Sequence, residues 1–327
     1  MTSISVVICA HLDERWDATL AAVASVHDQA LPAQEVIVVV DHNPGLQARL
    51  AAALPGVVVT GNREEQGLSG GRNTGIALAR GDIVAFLDDD AVADPRWLEF
   101  FASAYDDPAV AGVGGLTLPR WLARRPSWFP EEFAWVVGCS YLGMPATRAP
   151  VRNLHGGNAS FRREVFDAVG GFRSGIGRSA SKRPLGCEET ELCIRLRQHS
   201  PDSVLLFDNR AMIWHLVPPA RCRFSYFRAR CYAEGISKAV VASMVGAGDG
   251  LSAERRYTTR TLPLGVARGL ADAVRGRPAG LGRAAAIVVG LAAAATGYLT
   301  TSLRRRSWQQ AVSATPPSPG LAPGRAR

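Results

Sequence analysis

The chain has 327 residues, 47% of them hydrophobic, which is enough to bury a large core and excludes an intrinsically disordered or fibrous protein. Charge is unevenly placed: residues 1–250 carry 25 basic and 27 acidic side chains, and residues 251–327 carry 12 and 2. The nearly neutral body argues against a nucleic-acid groove, whereas the basic tail suits an anionic membrane surface. Six cysteines without a CxxC pair favour a reduced, cytosolic compartment over a zinc ribbon or a disulfide framework.

Four short runs rich in β-branched residues predict buried parallel strands. They are residues 4–9, 35–41, 57–60 and 82–88. Apolar residues at helical spacing predict helices over residues 19–27 and 75–80, between these strands. The alternation of strand and helix predicts an α/β fold.

The middle of the chain is less regular. Residues 111–165 combine glycine, proline and aromatic residues at irregular spacing, which predicts loops and short strands that cover a cleft. Residues 166–171 and 189–199 predict helices, and residues 203–207 and 211–215 predict a further pair of strands.

The C-terminal region differs in composition from the rest. Residues 284–303 form a charge-free stretch between Arg283 and Arg304, and its length matches one membrane span. Its many alanines, and the arginines that follow it, support an interfacial or re-entrant helix as strongly as a membrane span. We therefore predict three parts along the chain. They are a domain of residues 1–240, a helical membrane-associating region of residues 241–310 and a disordered tail of residues 311–327.

Three aspartates lie where the fourth predicted strand ends. Asp88 and Asp90 share one face of an extended segment, whereas Asp89 points elsewhere. Carboxylates this close repel each other unless a cation lies between them, so the pair favours a Mg²⁺ or Mn²⁺ site. The alternative is a solvated turn in which an aspartate caps the next helix.

Two further motifs follow predicted strands. Asp41 closes the second strand and can accept hydrogen bonds from a base or ribose, or form an Asx turn. The glycine-rich segment 67–75 precedes a helix, so its backbone can approach a phosphate closely while Arg72 donates from its guanidinium. This segment is not GxGxxG, and no GxxxxGK[ST] occurs, which argues against a Rossmann dehydrogenase and a P-loop nucleotidase.

A second acidic cluster opens a predicted helix with Glu188, Glu189 and Glu191. Acidic residues in a first turn commonly stabilise the helix dipole. One of them can instead act as a general base that removes the proton from an acceptor hydroxyl. The residues alone leave both interpretations open.

In chain order, these motifs resemble those of family 2 inverting glycosyltransferases of the GT-A fold. The matching segments lie within residues 3–235 and are Ser-Val-Val-Ile-Cys-Ala (5–10), Asp41, Gly-Leu-Ser-Gly-Gly-Arg-Asn-Thr-Gly (67–75), Leu-Asp-Asp-Asp-Ala (87–91), Gly-Asn-Ala-Ser-Phe-Arg-Arg (157–163) and Glu-Glu-Thr-Glu-Leu (188–192). Further segments, among them Cys-Tyr-Ala-Glu-Gly-Ile-Ser-Lys (231–238), resemble the archaeal-type glucosyl-dolichyl-phosphate glucuronosyltransferases. The resemblance implies a mostly parallel sheet flanked by helices, with a C-terminal helical membrane-associating tail.

The resemblance also implies roles for the acidic clusters. Asp88 and Asp90 would bind the metal and the diphosphate, and Asp89 would belong to the nucleotide-sugar site. Glu189 stands at the position of the catalytic base, with Glu188 as the second choice.

Other residues receive roles in the same way. Asp41 would contact the nucleoside, and Arg72 would lie near the diphosphate or the donor sugar. His215 would face the metal or the diphosphate, although a histidine at a strand end is equally a hydrogen-bonded structural residue. Gly157 and Asn158 would line the sugar and acceptor pocket.

The implied reaction is the metal-dependent transfer of one sugar from a nucleoside-diphosphate sugar, with UDP favoured, to a lipid-linked or glycan acceptor. The closer resemblance implies UDP-glucuronic acid, whose carboxylate Arg152, Arg162 or Arg163 can pair with. The chain lacks the QxxRW motif of processive members. We expect it at the cytoplasmic face of the cell membrane. The alternatives are a sugar nucleotidyltransferase and a non-catalytic membrane-tethered binding module.

Overall fold

A computed structural model describes residues 2–177, 186–246 and 255–314. In the first part of the chain, strands and helices alternate. They are β1 (Ile4–Ala10), α1 (Trp16–His27), β2 (Glu35–Val40), α2 (Pro44–Ala53), β3 (Val58–Gly61), α3 (Leu68–Leu78), β4 (Ile83–Asp88), β5 (Ala91–Ala93) and α4 (Trp97–Ala104).

The second part is more mixed and ends in long helices. Its strands and helices are β6 (Val110–Trp121), a 3-10 helix (Glu131–Val137), β7 (Ala149–Pro150), β8 (Asn158–Arg162), α5 (Arg163–Val169), α6 (Glu188–His199), β9 (Val204–Val217), α7 (Phe224–Val245), α8 (Leu262–Val274) and α9 (Ala279–Ala314). Shorter 3-10 helices lie at Asp13–Arg15 and Pro219–Cys222, and a π-helical turn at Tyr257–Thr261 leads into α8.

The strands of the described residues form one nine-stranded sheet, in the order β3-β2-β1-β4-β8-β6-β9-β5, with β7 paired to β9. Strands β3, β2, β1 and β4 are mutually parallel, and β8 is antiparallel to β4 and β6. The carboxyl ends of β1, β2 and β4 therefore meet at one edge, where Cys9 is in register with Asp88. The expected α/β fold is confirmed, and its parallel half carries the edge at which ligands bind in such sheets.

Helices cover both faces of the sheet. Alternate residues of β1 point to opposite faces: Val6 and Ile8 belong to one core cluster with residues of α1 and α4, and Val7 belongs to another with residues of α5 and α6. Because both faces are covered, these strands are continuously apolar instead of alternating. This burial explains why the sequence predicted β1, β2 and β4 within a residue or two.

The glycine-rich segment differs from expectation because it is itself helical. It forms most of α3 instead of a phosphate-binding loop before a helix. A Cβ atom at Gly75 would overlap the side chain of Val7, and one at Gly71 would lie 3.2 Å from Sγ of Cys9. The missing side chains therefore let α3 lie directly on β1.

Two other expected elements also differ from the structure. The strands predicted at 203–207 and 211–215 are one strand, β9, because Asp208 is buried and binds Arg210 through its carboxylate instead of breaking the strand. The irregular middle region begins with the twelve-residue strand β6. The three glycines and the proline of β6 had hidden its strand pattern.

One hydrophobic core lies on each face of the sheet. A third core lies between the C-terminal helices and the 3-10 helix Glu131–Val137. Segment Ala279–Arg304 of α9 is long and apolar enough to cross a membrane. The predicted boundary at residue 240 falls inside α7. Of the predicted disordered tail, residues 311–314 belong to α9 and residues 315–327 lie outside the described residues.

The contact of α3 with β1 predicts a stability effect. Gly75→Ala should lower the free energy of unfolding by about 1–3 kcal/mol, because its methyl group overlaps Val7 and overpacks the core. Gly45→Ala is the matched control, since Gly45 is also helical and its nearest neighbour, Oδ1 of Asn43, would lie 3.7 Å away. Denaturant unfolding measures both. A Gly75 variant as stable as the Gly45 variant would contradict the packing.

Candidate active site

A cavity of about 550 Å³ opens beside the carboxyl ends of the parallel strands. Its polar wall carries Arg72, Asp88, Glu188 and Glu189. Its apolar wall comes from the third core and from α9, and it includes Phe133, Trp135, Tyr257, Leu262, Leu291 and Leu299. We call this cavity the cleft. It places carboxylates, one buried arginine and an apolar surface within the same space.

Asp88, Asp90 and His215 form a cluster beside the cleft, which Asp88 lines. One oxygen or nitrogen atom of each lies within 4.8 Å of the others. β4 ends at Asp88, and β9 brings His215 into register with Ala91 of β5. Nδ1 of His215 is buried and has no hydrogen-bond partner within the described residues. Two carboxylates and an imidazole are suitable ligands for Mg²⁺ or Mn²⁺, so the residues fit a divalent cation.

Cationic side chains hold Asp90 in its ionised form. Oδ1 of Asp90 lies 3.2 Å from Nε2 of His215, and Oδ2 lies 2.9 Å from Arg15 and 3.6 Å from Arg221. Burial opposes ionisation, but the hydrogen bond and charge of His215, with the two arginines, lower the pKa of Asp90. Arg15 and Arg221 carried no motif in the sequence, and only the fold brings them here.

Asp89 points away from the cleft. Its carboxylate is buried and forms an ion pair with Arg15. Burial raises the pKa of Asp89 to about 7, although Arg15 opposes this shift. Asp89 was expected to belong to the nucleotide-sugar site, but it does not line the cleft, and that role stays a prediction. Of its two neighbours, Asp88 lines the cleft, whereas Asp90 is buried between Arg15 and His215.

Arg72 connects the two acidic clusters. It is buried, and its Nη1 atom donates to Oε1 of Glu188 at 2.9 Å. Its Nη2 atom lies 4.0 Å from Oδ1 of Asp88. The guanidinium also lies over the ring of Phe172, 5.1 Å from the ring centre. Arg72 therefore lines the cleft from within a helix, and its place near the diphosphate or the donor sugar stays a prediction.

The two glutamates at the start of α6 differ in their surroundings. Glu188 is buried and pairs with Arg72, whereas Glu189 is half-buried and lines the cleft without an ion pair among the described residues. Burial and the neighbouring Glu188 carboxylate raise the pKa of Glu189 to about 8. A carboxylate with a raised pKa that faces a cavity is suited to accept a proton.

Gly157 and Asn158 are neighbours with different positions. Gly157 lines the cleft, and a Cβ atom there would overlap the carboxylate of Asp88. Asn158 is fully buried, where it accepts a hydrogen bond from Trp97 and donates one to the carbonyl of Leu116. Asn158 was expected to line the pocket, but it does not line the cleft. Its amide has partners in α4, β6 and β9, so it positions β8.

Asp41 lies at the same edge of the sheet but does not line the cleft. It follows β2, and its Oδ1 atom accepts hydrogen bonds from Nδ2 of Asn62 at 2.7 Å and from Nδ1 of His42 at 3.0 Å. Its side chain is 14% exposed. Asp41 therefore lies beside the end of β1 and not on the cleft wall that carries Glu188 and Glu189.

Sequence reasoning missed a group of charged residues that α7 contributes to the cleft. Arg230 and Lys238 both pair with Glu234, at 3.1 and 3.7 Å. Nearby, burial and Lys238 lower the pKa of His155 to about 4, so this imidazole stays neutral. The spacing of four residues in Arg230, Glu234 and Lys238 was a readable signal of one helix face.

The cluster of Asp88, Asp90 and His215 predicts that the protein binds a divalent metal ion. Asp88→Asn should weaken Mn²⁺ binding at least about tenfold, because the ion loses an anionic oxygen ligand. Asp88 is the most exposed member of the cluster, which makes its variant the least disruptive to folding. Titration calorimetry measures the affinity, with the exposed Asp106→Asn as control. Equal affinity in both variants would place the ion elsewhere.

The sequence and the fold are similar to those of known proteins. The chain matches the model of glycosyl transferase family 2 over residues 5–170. It is 36% identical over 242 residues to a glucosyl-dolichyl phosphate glucuronosyltransferase of Haloferax volcanii, and the alignment covers 73% of this chain and 77% of that protein.

Two solved structures with bound nucleotide and metal have a similar fold. The mannosyltransferase PcManGT from Pyrobaculum calidifontis, in complex with GDP-Man and Mn²⁺, gives a TM-score of 0.58 at 17% identity, over 91% of this chain and 87% of its own. GalNAc-T7 with UDP, GalNAc and Mn²⁺ gives 0.55 at 16% identity, over 80% and 58%. At this identity the likeness shows the fold alone. Together with the family match, it establishes that the chain is a glycosyltransferase of family 2 with the GT-A fold.

Proposed function

We propose that this glycosyltransferase moves a single sugar, with inversion, from a UDP-sugar to a hydroxyl of a lipid-linked acceptor. The observation that carries the proposal is the common cleft of Asp88 and Glu189, which are linked through Arg72 and Glu188. In-line displacement at an anomeric carbon requires a metal site for the leaving group and a carboxylate that faces the acceptor, which Glu189 can supply.

In the proposed reaction, Glu189 accepts the proton of the acceptor hydroxyl. The hydroxyl oxygen forms its bond to the anomeric carbon while the bond from that carbon to the diphosphate oxygen breaks. Arg72 holds Glu188 and keeps its charge partly neutralised, so that Glu189 is the carboxylate left to act. Mg²⁺ or Mn²⁺ bound by Asp88, Asp90 and His215 would neutralise the leaving nucleoside diphosphate.

The donor we favour is UDP-glucuronic acid. Asp41 would accept hydrogen bonds from the nucleoside at the edge of the sheet. Of the three arginines considered for the sugar carboxylate, Arg152 lines the cleft. Arg162 donates to the backbone carbonyls of Val110 and Tyr105 and is structural. The name of the Haloferax volcanii relative also supports a glucuronosyl donor.

The acceptor we favour carries a lipid. The apolar wall of the cleft is built partly from α9, the helix that is apolar enough to enter a membrane. The relative's name gives its acceptor as a glucosyl-dolichyl phosphate, which is a sugar attached to a lipid. These features support a reaction at the membrane, and we propose that it takes place at the cytoplasmic face. A sugar nucleotidyltransferase and a non-catalytic module are the weaker alternatives, since the matched family and the relative are transferases.

A donor screen tests the proposal. Nucleoside diphosphate release from UDP-, GDP- and dTDP-sugars, with membrane lipid extract as acceptor, should be greatest with UDP-glucuronic acid and should stop with EDTA. Glu189→Gln should lower kcat by about 10²–10⁴-fold, because the general base is lost. Glu14→Gln, a change at an exposed glutamate, is the matched control. Full activity in the Glu189 variant would reject this residue as the base.

Glu188 should influence the pH dependence of the reaction through its effect on Glu189. Glu189 must be deprotonated to accept a proton, and its raised pKa means that kcat/KM should rise with pH towards about 8. Glu188→Gln removes a like charge and so lowers the pKa of Glu189. The rising limb of the pH profile of kcat/KM should therefore move to lower pH by about one unit. A pH profile of both enzymes measures the shift. If the rising limb did not move, a group other than Glu189 would control the pH dependence of kcat/KM.

A further inference from the structure

Helix α9 exposes an uncharged apolar stripe along its length. Leu281, Val288, Leu299 and Leu303 are 55–61% exposed, and their spacing of seven, eleven and four residues keeps them on one helix face. The other exposed positions between them are also uncharged: Ala285, Leu291, Ala292, Ala295 and Thr296. At 1.5 Å per residue, the stripe extends over about 33 Å.

Helix α8 continues this apolar surface. Leu270 and Val274 lie one turn apart and are 48% and 90% exposed. The two helices form an antiparallel hairpin, since Gly269 contacts the backbone of Gly280 and Gly265 lies against Ile287. Exposed side chains of this size seldom line both helices of a hairpin without a partner.

The opposite face of α9 is fixed to the catalytic domain. A Cβ atom at Gly235 of α7 would overlap the carbonyl of Ala294, and one at Gly297 would overlap the carbonyl of Tyr232. The backbones of α7 and α9 are therefore in contact. If α9 crossed a bilayer, the charged residues of α7 would enter hydrocarbon with it, at a high cost in free energy.

The charge around the hairpin identifies the partner. Residues 255–304 contain eight arginines and one acidic residue, Asp272. Several of these arginines flank the stripe: Arg275 and Arg277 are at the turn of the hairpin and Arg304 follows its last leucine. Arginines around an uncharged apolar face are complementary to a bilayer with anionic headgroups. A second copy of the basic hairpin would instead be repelled.

We infer that the α8–α9 hairpin lies in the plane of an anionic bilayer, with its stripe among the headgroups and upper acyl chains, and that α9 does not cross the membrane. Leu299 belongs both to the stripe and to the wall of the cleft. The cleft therefore opens at the membrane surface, and a lipid-linked acceptor enters it sideways from the bilayer. The lateral entry rests on the proposed function, whereas the docking does not.

Vesicle flotation of the full-length protein tests the inference. The protein should float with vesicles of phosphatidylglycerol and phosphatidylcholine, less with phosphatidylcholine alone, and less at high salt. The double variant Val274→Glu/Val288→Glu should lower the bound fraction about tenfold, because it places two charges in the stripe. Val58→Glu is the matched control, since Val58 is 40% exposed on β3, far from the hairpin. Neither variant residue lines the cleft, so donor hydrolysis should be unchanged in both.

Three results would overturn the inference. They are flotation that the double variant leaves intact, bound protein that resists both high salt and alkaline carbonate as a spanning helix does, and self-association in solution that the double variant abolishes without any flotation of the wild type. Flotation as expected, with no nucleoside diphosphate released from any donor, would reject the proposed function and leave the docking surface supported.

Discussion

The cleft depends on one buried cation, Arg72. Its guanidinium lies 2.9 Å from Glu188 and 4.0 Å from Asp88, and the ring of Phe172 covers it. Neither a buried guanidinium nor the carboxylates around it would be stable without the other. Because Arg72 comes from α3, Glu188 from α6 and Asp88 from β4, their interaction joins the parallel half of the sheet to the helix that carries Glu189.

A second set of opposite charges supports the same edge. Arg15 binds both Asp89 and Asp90, and His215 binds Asp90 from the far strand β9. The three consecutive aspartates therefore have different roles. Asp89 fixes the loop after β1, Asp90 is held ionised, and Asp88 remains the most exposed of the three. Repulsion between Asp88 and Asp90 favours a cation between them.

The sequence predicted those features that have local causes. β1 and β4 are apolar runs buried on both faces, and the aspartates that follow β4 necessarily lie at the carboxyl edge. Features with distant causes were missed. The glycines of α3 look like a loop until Val7 is placed beneath them, and Asn158 resembles a pocket residue until its partner Trp97 is known. No local pattern marks Arg15 as the partner of Asp89.

The central claim is that one cleft holds a divalent cation and its leaving group opposite Glu189. A crystal grown with Mn²⁺ and UDP, measured at the manganese absorption edge, tests it most directly. We expect an anomalous peak within coordination distance of Asp88, Asp90 and His215, with the diphosphate beside it and the uridine next to Asp41. A peak bound by other residues, or a diphosphate bound away from this cluster, would contradict the account.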